Sequence, residues 1–128
     1  MSVELTLLIW SAALTVIQML IAATGATFQV GLPKLAGNRD DVPACTGWAG
    51  RAQRAHRNML ENLVLFAILV LAVHLLNKSS PTTVLGAQLF FWGRVAYALV
   101  YLAGIPWLRT VVWFVSMVGL VMIFLKLI

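Results

Sequence analysis

The sequence predicts an all-α integral membrane protein folded as a four-helix up-down bundle. Three observations predict it. Of the 128 residues, 62% are hydrophobic and the mean hydropathy is +0.95, more apolar surface than a soluble domain of this size normally carries. Four apolar runs each reach about 20 residues or more, enough to cross a ~30 Å hydrocarbon core. Two of the three connections between them are short, which forces neighbouring helices to be adjacent and antiparallel.

The first run extends from about Leu5 to Val30, and its Thr24, Gly25 and Thr27 are tolerated in membrane helices. Met1-Ser2-Val3-Glu4 lacks a basic region, so this run is expected to be a retained span, not a cleaved signal. A long connection follows, about residues 31–53, where Pro33, Gly37, Pro43, Gly47 and Gly50 interrupt regular structure. The second run covers about Arg54 to Leu76 and ends at the turn Asn77-Lys78-Ser79-Ser80-Pro81. The third covers about Thr82 to Ala103, ends at Gly104-Ile105-Pro106, and leads into the fourth, about Trp107 to Leu127. A single domain, 1–128, is expected, with no internal repeat and no low-complexity tract.

The formal net charge is +5 and the pI about 10.2. In a soluble chain that balance points to nucleic acid; here no nucleic-acid partner is expected, and the basic residues mark topology and a candidate anion site. Lys34, Arg39, Arg51, Arg54, Arg57 and Arg109 fall on the side of the first and third connections, Lys78 and Lys126 on the other. Basic segments stay cytoplasmic, so both termini are expected on the non-cytoplasmic side. The lone Cys45 excludes an intrachain disulfide framework.

Two ionisable residues lie inside the apolar runs, Glu61 in the second and Arg94 in the third. A charge at that depth costs several kcal/mol, so it normally faces the bundle interior with a partner. At ~1.5 Å per residue both lie ~10–14 Å below the cytoplasmic surface, matched in depth for pairing. At about 100° per residue, Arg54, Arg57, Asn58 and Glu61 share one helix face, and Arg94, Tyr97 and Tyr101 share another. Arg109 and Thr110 open the fourth helix at the same side.

A plainer reading exists for each residue alone. Arg57 and Glu61 are an i,i+4 pair that can neutralise itself. Arg54 and Arg57 can be anchors that snorkel. Together, four arginines, one glutamate, one asparagine and two tyrosines converge on one side of the bilayer, and arginines in excess of carboxylates suit anion recognition. A zwitterion with more than one carboxylate fits; the residues alone name none. His56 falls about 200° from Arg54 on the wheel, off the polar face. His74 is about 27 Å further along the axis, so no metal site is expected. Trp10, Trp48, Trp92, Trp107 and Trp113 read as interface-belt or lipid-facing residues.

The run Arg54-Ala55-His56-Arg57-Asn58-Met59-Leu60-Glu61, followed by Gly93-Arg94-Val95-Ala96-Tyr97 and Tyr101, resembles the MAPEG family, membrane-associated proteins in eicosanoid and glutathione metabolism. The resemblance covers essentially the whole chain. Gly37-Asn38-Arg39-Asp40-Asp41 looks like the short bacterial branch, which implies the bacterial inner membrane. It further implies a homotrimer with glutathione as co-substrate, bound between subunits towards the cytoplasm. By match to the motif, Arg54, Asn58, Glu61, Arg94, Tyr97 and Tyr101 would contact glutathione, and His56 falls at a position used in some members. Arg109 best matches the thiolate-stabilising arginine of several members, with Thr110 where some have serine. An arginine that some members carry at the end of helix one has no clear counterpart here, Lys34 matching only weakly.

The resemblance implies a glutathione transferase or peroxidase acting on lipophilic electrophiles or hydroperoxides that arrive from membrane lipid. Arg109 would stabilise the thiolate, with Thr110 or Tyr101 assisting. The alternatives are a non-catalytic lipid-binding or scaffold protein of the same fold, and a small proton-coupled exporter. The exporter needs an embedded acid free to titrate, whereas Glu61 sits among arginines that keep it ionised.

Overall fold

The computed structural model describes all 128 residues. Four long helices and one short one make up the chain: α1 Val3–Gln29, α2 Leu32–Ala36, α3 Gly47–Leu75, α4 Pro81–Ala103 and α5 Pro106–Leu127. All four long helices have the length and apolarity to cross a membrane. Much of their outer surface is large and apolar, including Ile17, Leu20, Val64, Ile68, Leu99, Phe114 and Val121. That inverted surface is what a bilayer solvent selects.

Helix ends follow local chemistry. Ser2 caps α1 by accepting from the amide of Leu5. Ser80 and Thr83 form a reciprocal capping box at α4, with Pro81 in the first turn. Gly104 ends α4 in the left-handed region at φ 77°, and Pro106 starts α5. Arg51 reaches across from α3, its Nε donating to the Leu102 carbonyl at 3.1 Å. A guanidinium there complements the negative end of α4.

The long connection is shorter than the sequence suggests. α3 begins at Gly47, not near Arg54, and α2 occupies part of the loop. Gly50, read from sequence as a breaker, lies inside α3, and the position takes glycine because a Cβ there would stand 2.7 Å from the Cys45 carbonyl oxygen. Gln29 closes the loop like a clasp. Its amide donates to the Thr46 carbonyl and accepts from the Thr46 amide, both at 2.8 Å.

Packing relies on small residues where backbones cross. A Cβ on Gly25 of α1 would stand 2.7 Å from the Ala49 Cβ of α3. Gly86 and Gly119 let α4 and α5 touch backbone to backbone, and Gly93 lies against Ser116 in the same seam. Met59, Phe66, Val70, Ala87, Phe90, Leu120 and Ile123 fill the core beyond this seam, with Phe66 and Phe90 stacked at 4.1 Å. At the far end Glu4 is buried and accepts from Ser79 at 2.6 Å and Thr83 at 2.9 Å. These two bonds tie α1 to the α3–α4 turn.

Candidate functional site

Towards the end of the bundle that carries the basic residues, a groove of about 270 Å³ runs between α3 and α5. Asn58 lines the α3 wall, Tyr97 and Tyr101 of α4 the floor, and Arg109, Thr110 and Trp113 the α5 wall. The short turn at Gly104 brings Arg109 back over α4. Its guanidinium carbon lies 4.6 Å from the centroid of the Tyr101 ring. Arg54 donates from Nε to the Tyr101 hydroxyl oxygen at 3.0 Å. Tyr101 therefore sits between two guanidinium groups, with its own hydroxyl proton left to donate. Tyr97 meets it edge to face at 5.5 Å. The Thr110 hydroxyl donates to the Pro106 carbonyl at 3.4 Å, a long bond that a better acceptor can displace.

Arg94 departs from the sequence reading. It is 1% exposed and its guanidinium stacks 4.2 Å from the Tyr97 ring centroid. None of its three nitrogens has a hydrogen-bond partner. It makes no pair with Glu61, the partner expected from matched depth. Glu61 lies exposed on α3, and Arg94 lies below the groove floor instead of lining it. A buried cation with unpartnered donors is costly. The Tyr97 face offsets part of that cost, and the remaining demand is for an acceptor the protomer itself does not supply.

The polar residues of α3 do not form a single stripe. Gln53, His56, Arg57 and Leu60 turn to the opposite flank and line a cavity of about 580 Å³. Its remaining walls come from the C-terminal half of α1 (Ala22, Ala26 and Thr27), from α2 and from Arg39. Arg57 thus leaves the face that the wheel assigned it with Asn58, because residues 57 and 58 diverge by about 100°. Arg54 and Glu61 lie on the crest between the two flanks. His56 lines this cavity, and its Nδ1 is buried without a partner. No cluster of His, Cys, Asp and Glu suited to a metal occurs anywhere in the chain.

Residues 3–128 match the MAPEG family. The chain belongs to that family. The match spans all four long helices, so they form a multi-pass membrane protein of MAPEG type, and the family includes glutathione transferases and peroxidases. No curated protein matches the chain. Of the motif residues, Asn58, Tyr97, Tyr101, Arg109 and Thr110 share the groove and Arg54 touches it through Tyr101. Arg94 lies beneath it, His56 across α3, and Glu61 on the crest. The sequence reading missed Trp113, which it placed with the lipid-facing tryptophans. The available signal was its i+4 spacing from Arg109, which puts both on one face of α5.

Proposed function

We propose that this protein is a glutathione-dependent membrane transferase or peroxidase, with glutathione in the α3–α4–α5 groove and Arg109 holding its thiolate. The observation that carries the reading is the Arg54–Tyr101–Arg109 stack beside Asn58, Tyr97 and Thr110. Two fixed cations flanking a tyrosine favour an anionic sulfur, since nearby positive charge lowers a thiol pKa. Tyr101 donates its hydroxyl proton towards that sulfur because Arg54 already occupies its oxygen as a donor. The unpartnered donors of Arg94, beneath the floor, add a field that favours a carboxylate in the groove.

In conjugation, the thiolate attacks an electrophilic carbon, a carbon–sulfur bond forms, and the leaving group departs with its bonding pair. In peroxide reduction, sulfur attacks the peroxide oxygen and the O–O bond breaks. A second glutathione completes the disulfide, leaving alcohol and water. Both substrates reach the groove from the bilayer.

The cavity on the other flank of α3 supports assembly from several copies, a homotrimer in this reading. Its Arg39 and Arg57 form a cationic rim, with the His56 imidazole beside them, that a neighbouring copy's groove would face. Arg39 of the loop then supplies charge where α1 ends without an arginine. Both termini lie away from the cytoplasm in this arrangement, and a bacterial inner membrane is the proposed location.

The test is glutathione binding by equilibrium dialysis, plus turnover with a generic electrophile, on detergent-solubilised protein. Arg109→Ala is expected to lower turnover by about a hundredfold or more, as for loss of one charge-stabilising donor, with glutathione affinity changed far less. Unchanged turnover would remove Arg109 from the mechanism. Wild-type protein that binds no glutathione would favour the lipid-binding or scaffold reading.

A further inference from the structure

Four of the five tryptophans point outward: Trp48, Trp10, Trp92 and Trp107 are 42%, 58%, 62% and 84% exposed. Trp113 is half-buried and packs on the cluster of Ala55, Tyr97 and Tyr101. It follows Arg109 by one helical turn, so it sits about 6 Å further along the axis of α5 on the same flank. The groove therefore changes character along its length. At the turn end it offers Arg109 and Thr110, and further in, aromatic rings. Beyond Trp113 the outward residues of α5 are Phe114, Val115, Val118 and Val121, a surface made for lipid.

We propose that Trp113 is a specificity-determining residue that stacks planar, electron-poor aromatic electrophiles beside the reactive sulfur. The inference rests on the glutathione reading and narrows its substrate class. An indole face is electron-rich, and an electron-poor ring stacked on it in an offset arrangement gains more than an alkyl chain does. Tyr97 and Tyr101 form the adjoining floor, so a flat ring sliding in from the lipid side meets aromatic surface on two walls. A ring held there presents its edge to sulfur at Arg109. The thiolate adds to the ring carbon bearing a halide, the carbon–sulfur bond forms, and halide leaves with the carbon–halogen pair. Nitro groups on the ring carry the negative charge that builds during addition. The thiol proton has already passed to solvent.

The experiment compares wild type, Trp113→Ala and Trp113→Phe in detergent. Three quantities are read: glutathione affinity, kcat/KM with a halonitrobenzene and with an aliphatic hydroperoxide of similar hydrophobicity, and binding of an unreactive nitrobenzene. Trp113→Ala is expected to lower kcat/KM for the halonitrobenzene roughly fivefold to tenfold, the range of one lost stacking contact. The hydroperoxide value and glutathione affinity should fall by a clearly smaller factor than the halonitrobenzene value, and Trp113→Phe should restore most of that difference. Equal losses for both substrates, or no loss, would overturn the proposal. Absence of glutathione turnover in wild type would overturn the functional reading. Nitrobenzene binding then still judges Trp113, since binding unaffected by Trp113→Ala rejects it as a stacking surface.

Discussion

Replacing Gly86 by alanine puts the α4–α5 seam under a measurable wedge. A Cβ there would stand 2.7 Å from the Gly119 carbonyl oxygen and 2.8 Å from the Ile123 Cγ1. Ordinary contact needs about 3.4 Å or more, so the helices must separate by roughly 0.7 Å. Neither neighbour can yield alone, since one is backbone and Ile123 is fully buried. Overpacking of this kind costs about 1–3 kcal/mol, against about 1 kcal/mol gained from alanine's helix propensity. With two hard contacts the cost wins, by about 1–2 kcal/mol. The effect on chemistry is smaller. The two helices are hinged at the Gly104 turn, about 27 Å from Gly86, whereas Tyr97 is only about 10 Å from it. A spread of 0.7 Å at the wedge becomes roughly 0.3 Å at the groove by that lever. Thermal unfolding in detergent should show a midpoint lowered by roughly 5 °C, with kcat at low temperature within about twofold, because large losses need displacements nearer 1 Å. An unchanged midpoint would refute the packing argument. Lost turnover at an unchanged midpoint would refute the lever argument.

Other expectations concern the two ends of the bundle. Glu4→Ala removes two buried hydrogen bonds and should cost about 1–3 kcal/mol, read as a lower midpoint with glutathione affinity intact. Gln29→Ala opens the clasp on Thr46 and should cost about 1–2 kcal/mol. Faster proteolytic cleavage confined to residues 31–46 is the readout. Cleavage elsewhere would mean that the clasp is not what holds the loop.

The spans were legible because a bilayer demands long apolar helices, and composition reports that demand directly. The start of α3 was not, because Gly47 and Gly50 look like breakers until the Cys45 carbonyl is seen against Gly50. Helical phase found the residues of the candidate site but not their grouping. Asn58 and Arg57 are neighbours in sequence and face different cavities. Matched depth suggested a Glu61–Arg94 pair, yet depth says nothing about azimuth, and Arg94 turned inward onto Tyr97. Trp113 was hidden by its own chemistry, since an indole on a membrane helix reads equally as a lipid anchor and as a pocket wall.

The two-flanked α3 has a genetic consequence. In the ring we propose, each copy offers its groove to one neighbour and its cationic rim to the other, a head-to-tail contact that closes by rotation. A lesion in the groove and a lesion in the rim then disable different halves of different sites. Copies carrying Arg109→Ala and copies carrying His56→Ala, each defective when assembled alone, would form mixed rings in which one junction joins an undamaged groove to an undamaged rim. Two losses of function co-expressed would restore activity that neither has, whereas a site contained within one protomer could never be rescued this way.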